Sequence, residues 1–306
     1  MKRYIVILNP IAGKGHAEKH QQEIEAFFKK HQLEYDIVVT ERPGHAIDIA
    51  EKYGVQPNTI VVAAGGDGTS NEVINGLMKA SAKMKEETPC FGVLAIGRGN
   101  DFAFGANIPS GLEECLLLLK DGTPCAMDVG EVKGGDYPDG RYFGNGIGVG
   151  FDTLVGLEAA RMEHVHGGFA YTLGAIKTLI KYPTAPIVEI QFDNKTLTIS
   201  PAMVSIMNGR RMGGSFYMAP YAEMDDGRFD YCIAHQGKRL QLLSAMMAYT
   251  KGTQAGRDDT LTGKANHINI QAISGTLAVH ADGETICEEG TRLEVINHEH
   301  ALNIIK

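Results

Sequence analysis

At 306 residues, with 43% hydrophobic and 22% charged side chains, the chain carries material for two cores of ordinary globular composition. A formal net charge of −8 argues against a nucleic-acid partner, whose phosphates demand a basic face, but not against a membrane, which local basic patches can meet. No apolar run approaches the roughly 18–20 residues needed to span a bilayer, and five cysteines without CxxC spacing fit reduced thiols in a cytoplasmic protein.

The chain opens with Met-Lys-Arg and then a β-rich run over 4–9, read as a first strand rather than a signal peptide. A polar helix is predicted over 16–32, with apolar residues at Ile24, Phe27 and Phe28. Strands follow at 35–40, 59–64 and 91–96, with helices between them at 44–53 and 70–80. Strands alternating with helices imply βαβ units and a parallel sheet, and strands this uniformly apolar are covered on both faces. After about Asp128 the texture changes to short runs separated by turn residues: 141–150, 187–192, 196–200, 202–207, 229–234, 268–273, 276–280 and 292–297. Such spacing predicts an antiparallel sandwich, with helices inserted at about 152–165, 168–182 and 238–249. The expected organisation is an α/β domain with a parallel sheet over 1–128 and a mainly antiparallel β-sandwich over 129–297.

The strongest chemical signal is Gly65-Gly66-Asp67-Gly68-Thr69-Ser70-Asn71-Glu72, where the third strand meets its helix. Glycines after a buried strand let backbone N–H groups approach an anion, and the following helix adds its positive end. Asp67 beside phosphates makes sense with a bridging cation such as Mg²⁺. Thr69 and Glu72 also have capping-box spacing, a structural reading of Glu72 with equal weight. A second glycine loop, Asn9-Pro10-Ile11-Ala12-Gly13-Lys14-Gly15, follows the first strand without Walker A spacing. Thr40 ends the second strand, and Gly97-Arg98-Gly99-Asn100-Asp101-Phe102-Ala103 follows the fourth. Parallel sheets bind ligands beyond the carboxyl ends of their strands, so these loops outline a nucleotide cleft. Asp101 and Asp128 stand near the same edge as Asp67, and three carboxylates around one polyphosphate would need Mg²⁺ and water between them. A helix N-cap is the other reading of Asp101, and a solvated strand end that of Asp128. Asp282-Gly283, taken alone, is a hairpin signal.

The sequence resembles the diacylglycerol kinase catalytic family in its bacterial lipid kinase branch, which is similar to sphingosine and ceramide kinases and distantly to NAD kinase. The resemblance rests on NPIAGKG (9–15), GGDGTSNEVINGL (65–77), GNDFA (99–103), DVG (128–130), FGNGIGVGFD (143–152), GGSFYMAPYAEMDDGRFD (213–230) and ADGE (281–284), in that order along nearly the whole chain. It implies ATP bound in a cleft between the two domains, and a C-terminus, 298–306, that returns to the first. It further implies that Asn9 to Gly13, Thr40 and Gly66 to Glu72 line the ATP site, and that Asp67, Asp101 and Asp128 form a Mg²⁺-and-water network. Asp282 would be the general base for a lipid hydroxyl. Some members hold a structural Mg²⁺ where Asp226 would supply a side chain and Glu223 and Arg228 backbone carbonyls; a solvated turn is the competing reading. Two departures stand out: Arg98 replaces the usual Thr of the Gly-Thr-x-Asn-Asp motif, and Phe104 stands where many members place Arg. A guanidinium at Arg98 can contact phosphate instead, and Arg210 and Arg211 are the nearest candidates to replace the lost basic contact.

Residues 153–183 and 238–251 carry apolar stripes with basic residues, among them Lys238, Arg239 and Lys251. Helices that dock peripherally on a bilayer and helices that line a core both have this pattern. Two other functions stay open, an NAD kinase-like enzyme and a catalytically weak nucleotide- or lipid-binding regulator. The sequence identifies neither the lipid nor the oligomeric state, a homodimer included.

Overall fold

A computed structural model describes residues 2–12, 17–84, 88–161, 168–181 and 184–306. Gly13, Lys14 and Gly15 lie outside these residues, as does part of the helix expected at 152–165.

The first half alternates as its pattern requires. In order come β1 (Arg3–Leu8), α1 (Ala17–Lys30), β2 (Glu34–Val39), α2 (His45–Gly54), β3 (Thr59–Gly65), α3 (Asp67–Ser81), β4 (Cys90–Ala95), α4 (Asp101–Gly105) and α5 (Leu112–Asp121). The strands lie in the order β2-β1-β3-β4, all parallel, with Tyr4 opposite both Tyr35 and Ile60, and Val62 opposite Gly92. Every residue of β3 is buried, because helices cover both faces; Ile24 and Phe28 of α1 and Ile74 and Leu77 of α3 join its core. The short α4 and the amphipathic α5 are elements the sequence reading passed over.

The second half continues with β5 (Pro124–Gly134), β6 (Tyr137–Phe143), β7 (Gly146–Gly150), α6 (Phe151–Ala160), α7 (Gly168–Lys181), β8 (Ile187–Phe192), β9 (Lys195–Ile199), β10 (Pro201–Met207) and β11 (Phe229–His235). It closes with α8 (Arg239–Lys251), β12 (Thr260–Ala265), β13 (His267–Ser274), β14 (Leu277–Ala281), β15 (Glu284–Gly290) and β16 (Arg292–Ile305). An antiparallel sheet of order β12-β11-β10-β7-β14-β15 stacks on the antiparallel part of the first sheet, β16-β13-β8-β9 with β5 and β6. Inward residues of both, including Ile147, Ile206, Phe229, Ile268 and Val295, form one core, as expected of a sandwich. A third cluster lies between α6, α8 and the outer face of the second sheet, built on Phe151, Met203, Leu242 and Tyr249.

β16 unites the two halves. Its first part runs antiparallel to β13, with Val295 opposite Ile268, its whole length runs antiparallel to β5, and its end runs parallel to β4, with Ile304 opposite Phe91. The sequence pattern stopped this strand at 297 because His298, Glu299 and His300 break the alternation. In the structure the register shifts there, with His300 at a φ of 51°, and the strand resumes. β5 likewise runs unbroken through the expected boundary after Asp128, so no linker stands at that point.

Candidate active site

The loops that follow β1, β2, β3 and β4 lie together at the carboxyl edge of the parallel strands. Asn9 joins two of them: its side-chain N–H donates to Thr69 Oγ1 (3.1 Å) while its Oδ1 accepts from the Ile11 amide (3.1 Å). Thr40 is held to the end of β1 through its amide and the Leu8 carbonyl (2.9 Å). Ile11 is exposed at the rim and Ala12 is buried against the core, with Pro10 between Asn9 and Ile11 in the same turn. Gly66 and Gly97 meet backbone to backbone, so closely that a Cβ on Gly97 would overlap the Cα of Gly66. This approach requires glycine at 97.

α3 begins three residues earlier than the pattern suggested. Gly66 is its N-cap, so Asp67, Gly68 and Thr69 form the first helical turn and Ser70 bonds back to Gly66 O (3.1 Å). The glycines disguised this turn, since glycine normally lowers helix propensity, while an acidic residue in the first turn suits the positive end of the helix. The Thr69–Glu72 capping box, one of the two readings of Glu72, does not form. Both Glu72 oxygens instead accept amides at the start of α2, from Gly44 (2.9 Å) and Ala46 (3.1 Å). Gly44, the N-cap of α2, has no side chain to cap with and sits at a φ of 77°; Glu72 supplies the missing acceptor from another helix.

Asp67 and Asp101 come together at the mouth of the cleft. Asp67 Oδ1 accepts the Phe102 amide (3.0 Å), and a Cβ on Gly99 would lie 2.9 Å from its Oδ2. Asp101 accepts Arg211 Nε (2.8 Å) and the Gly214 amide (2.9 Å to Oδ2). Burial, aided by the charge of Asp67, pushes the Asp101 carboxyl above the ordinary range against the pull of Gly214 and Arg211. Arg211 also lies over the Phe104 ring at 4.0 Å and donates to Gly99 O (3.1 Å). A guanidinium borne by residue 211 is therefore stacked on Phe104. Arg210 turns away to Ala222 O and Asn107. Asn100, left-handed at a φ of 52°, donates to the Ala95 and Gly97 carbonyls, and Arg98 is exposed between these glycines.

From the opposite sheet the turn between β14 and β15 reaches the same cleft. Asp282 and Gly283 have φ values of 49° and 87°, the pairing of a tight two-residue hairpin turn. The Asp282 carboxylate accepts four N–H groups: the amides of Gly144 (2.8 Å), Asn145 (3.0 Å) and Gly146 (2.9 Å), and Asn71 Nδ2 (3.0 Å). Burial pushes this carboxyl up and the four donors pull it back, leaving it raised. Asn71 is itself gripped, its Oδ1 accepting Arg141 Nη2 (2.8 Å) and its Nδ2 also donating to Tyr142 O (3.0 Å). The side-chain amide of Asn75, one turn along α3, donates to the Tyr142 carbonyl (2.8 Å) and accepts the Tyr142 amide (3.0 Å). Asn75, Asn145 and Arg141 were missed in the sequence; Asn71-x-x-x-Asn75, two buried amides on one helix face, was the available signal.

Comparison with known proteins places the chain as a whole. Residues 3–132 match the diacylglycerol kinase catalytic domain, and residues 145–306 match the YegS C-terminal NAD kinase beta sandwich-like domain. Residues 3–132 thus belong to the diacylglycerol kinase catalytic domain family, and residues 145–306, more than half of the chain, to the YegS C-terminal family. The chain is a kinase. A diacylglycerol kinase of Bacillus subtilis (strain 168) is 28% identical over 290 residues, spanning 93% of this chain and 90% of its own. One from Staphylococcus aureus (strain bovine RF122 / ET3-1) is 27% identical over 284 residues, covering 92% and 86%. In fold, a crystal structure of a diacylglycerol kinase from Bacillus anthracis str. Sterne covers 99% of this chain and 96% of its own, with a TM-score of 0.71 at 20% identity. Yeast NADH kinase complexed with NADH shares the fold more distantly, with a TM-score of 0.54 at 13% identity over 99% of this chain and 82% of its own.

Two expectations drawn from the diacylglycerol kinase family meet a different geometry here. Asp128 is buried, and its oxygens are taken by the amides of Gly227 (2.7 Å) and His300 (2.8 Å). Its charged neighbours are His300 and Asp226, and burial again raises it. It pins the 223–228 loop to the bend in β16, and among the described residues no three acidic, His or Cys side chains are grouped to hold a metal. In the 223–228 loop, Asp226 Oδ1 accepts the Arg228 amide (3.0 Å), while its Oδ2 meets Lys264 Nζ at 2.5 Å. The same ammonium lies 3.3 Å from Asp230 Oδ2, and Glu223 acts on Asp230 only as a nearby charge. A cation already stands between the carboxylates, so these residues do not fit a structural Mg²⁺. Register explains it, since Lys264 on β12 is paired directly with Asp230 on β11.

Proposed function

We propose that this kinase transfers the γ-phosphoryl group of ATP to the hydroxyl of a membrane lipid of the diacylglycerol type. The observation that carries the reading is the meeting of Asp282, on a turn of the second sheet, with Asn71 on the phosphate-facing helix of the first (3.0 Å). A phosphoryl transferase needs little covalent chemistry; it needs a held donor, neutralised charge and an oriented acceptor. The Gly66–Thr69 turn directs backbone N–H groups and the positive end of α3 at the phosphates, with Asn9, Thr40, Arg98 and Asn100 around it.

Asp67, with Asp101 beside it, fits Mg²⁺ as the ion is usually held in kinases, by one or two carboxylates together with substrate phosphates. When bound, Mg²⁺ neutralises charge on the transferring group. Arg211, stacked on Phe104 and paired with Asp101, fixes that side of the cleft. Asp282 takes the proton from the lipid hydroxyl. A carboxylate has about four acceptor sites, and all four are filled, three by backbone. The lipid hydroxyl therefore displaces the one side-chain donor, Asn71 Nδ2. A raised carboxyl is the better base for this step near neutral pH.

The substrate class asks for a protein that meets the bilayer from its cytoplasmic side; no helix among the described residues is long and apolar enough to cross a membrane. Radiolabelled ATP offered with diacylglycerol, ceramide, sphingoid base and phosphatidylglycerol in mixed micelles, and with NAD in solution, tests the proposal. Label on a lipid is the expected result. Label on NAD alone, or on nothing, overturns it.

A further inference from the structure

We propose that α8 is the helix that docks this kinase on the membrane, with its outward apolar face entering the headgroup region of an anionic bilayer. This rests on the lipid kinase reading above. Leu240, Leu243 and Met247 recur at the spacing that puts them on one face of a helix, and they are 79%, 42% and 58% exposed. The opposite face is also apolar, with Leu242, Ala245 and Tyr249 buried in the core against the second sheet. A surface helix needs only one apolar face to hold its place, so the second has no role in folding.

Charge decides what covers it. On a chain of net charge −8, this 13-residue helix has no acidic residue, and Lys238, Arg239 and Lys251 stand at its two ends. That is the make-up of an interfacial helix, apolar in the middle and basic at the flanks. Asp259, close by, is neutralised by Arg257 at 2.7 Å; Asp258 beside it is exposed. A second copy of the chain is a poorer occupant. A helix of this length is about 20 Å long, and three side chains on it fall well short of the roughly 800 Å² per partner of a stable dimer. A bilayer sets no such requirement.

The helix is also tied to the cleft. The Tyr249 carbonyl accepts the Tyr217 amide at 2.8 Å, the Tyr217 ring meets Phe104 at 5.9 Å, and Phe104 lies under Arg211, the partner of Asp101. Docking through α8 thus brings the bilayer against the element that carries one wall of the site.

The chain contains no tryptophan, which makes a direct test available. Met247→Trp is expected to show a blue-shifted emission on adding phosphatidylglycerol/phosphatidylcholine vesicles, and little change with pure phosphatidylcholine. Leu243→Glu/Met247→Glu is expected to lower vesicle co-sedimentation and turnover of vesicle-embedded dioleoylglycerol by tenfold or more. Its melting temperature, its stabilisation by Mg-ATP and its turnover of dispersed dioctanoylglycerol should remain those of the wild type. Unshifted Met247→Trp emission, or wild-type sedimentation of the double variant, overturns the proposal. Light scattering that shows a dimer broken by the double variant overturns it too, in favour of a second copy. Wild-type protein that binds vesicles but phosphorylates no lipid would leave docking in place and refute the kinase reading instead.

Discussion

Asn71 Nδ2 lies 3.0 Å from Asp282 Oδ2, across 211 positions of sequence, and so a hydrogen bond joins helix α3 to a hairpin turn of the opposite sheet. Both partners are held on other sides, Asn71 by Arg141 and Asp282 by three amides. The bond therefore belongs to the joint between the sheets as well as to the proposed chemistry, and substitutions at its two ends separate those roles.

Asp282→Asn removes the proton acceptor and is expected to lower turnover by about 10²–10⁴, with Mg-ATP affinity little changed. It should also cost stability. The new NH₂ group faces N–H donors, and charge-assisted bonds worth about 1.5–3 kcal/mol each are weakened. Steady-state kinetics, calorimetric nucleotide binding and a melting curve on this one variant give all three answers. Turnover near the wild-type value removes Asp282 from the mechanism.

Asn71→Ala takes away one donor to the charged form of Asp282. Fewer donors mean a less stabilised carboxylate, so its already raised pKa rises further. The base works deprotonated, and activity falls as pH drops through that pKa. The acid limb of the kcat/KM profile should therefore move to higher pH in the variant. An unmoved limb means that another group titrates there.

Gly97→Ala sets a methyl against the Gly66 backbone, where nothing flexible can give way. Overpacking of this kind costs about 1–3 kcal/mol, and the displaced Gly66 is the N-cap of α3, so stabilisation by Mg-ATP should weaken as well. Gly156→Ala, in α6 with no atom within 4 Å of the added Cβ, is the control and should gain about 0.5–1 kcal/mol. Thermal melts of both variants with and without Mg-ATP measure the contrast. Equal behaviour would show that the Gly66–Gly97 contact is not needed.

Without nucleotide, a chelator should leave the melting temperature unchanged, because Lys264 occupies the place of a cation between Asp226 and Asp230. Burial works to lower the Lys264 ammonium, but the two carboxylates outweigh it and hold it above the usual lysine range. Lys264→Met should lower stability by about 1 kcal/mol, a modest figure because the side chain is partly exposed. It should also make the variant respond to added Mg²⁺. A wild-type melt that drops in EDTA would contradict this account.

Much of the fold was legible in the chain itself, because burial on a sheet or helix imposes a local period on residue type. β8 runs from Ile187 to Phe192, as its pattern required, and β10 and β11 differ from the sequence reading by a residue at one end. The turn at the carboxyl edge of β3 was legible for a related reason, since Gly65-Gly66-Asp67-Gly68 puts permissive backbone where a strand must turn into a helix. What no local pattern carries is the choice of partner. Glu72 has the spacing to cap its own helix and caps α2; Asp128 has the placement of a cleft carboxylate and holds the 223–228 loop instead. Asp226 lies in a motif that binds metal elsewhere and meets a lysine contributed by the neighbouring strand. Each choice was made between groups tens to hundreds of residues apart, by which donor the packing left within about 3 Å. Distances of that kind exist only once helices and strands remote in sequence have packed together, so the tertiary structure alone decided them.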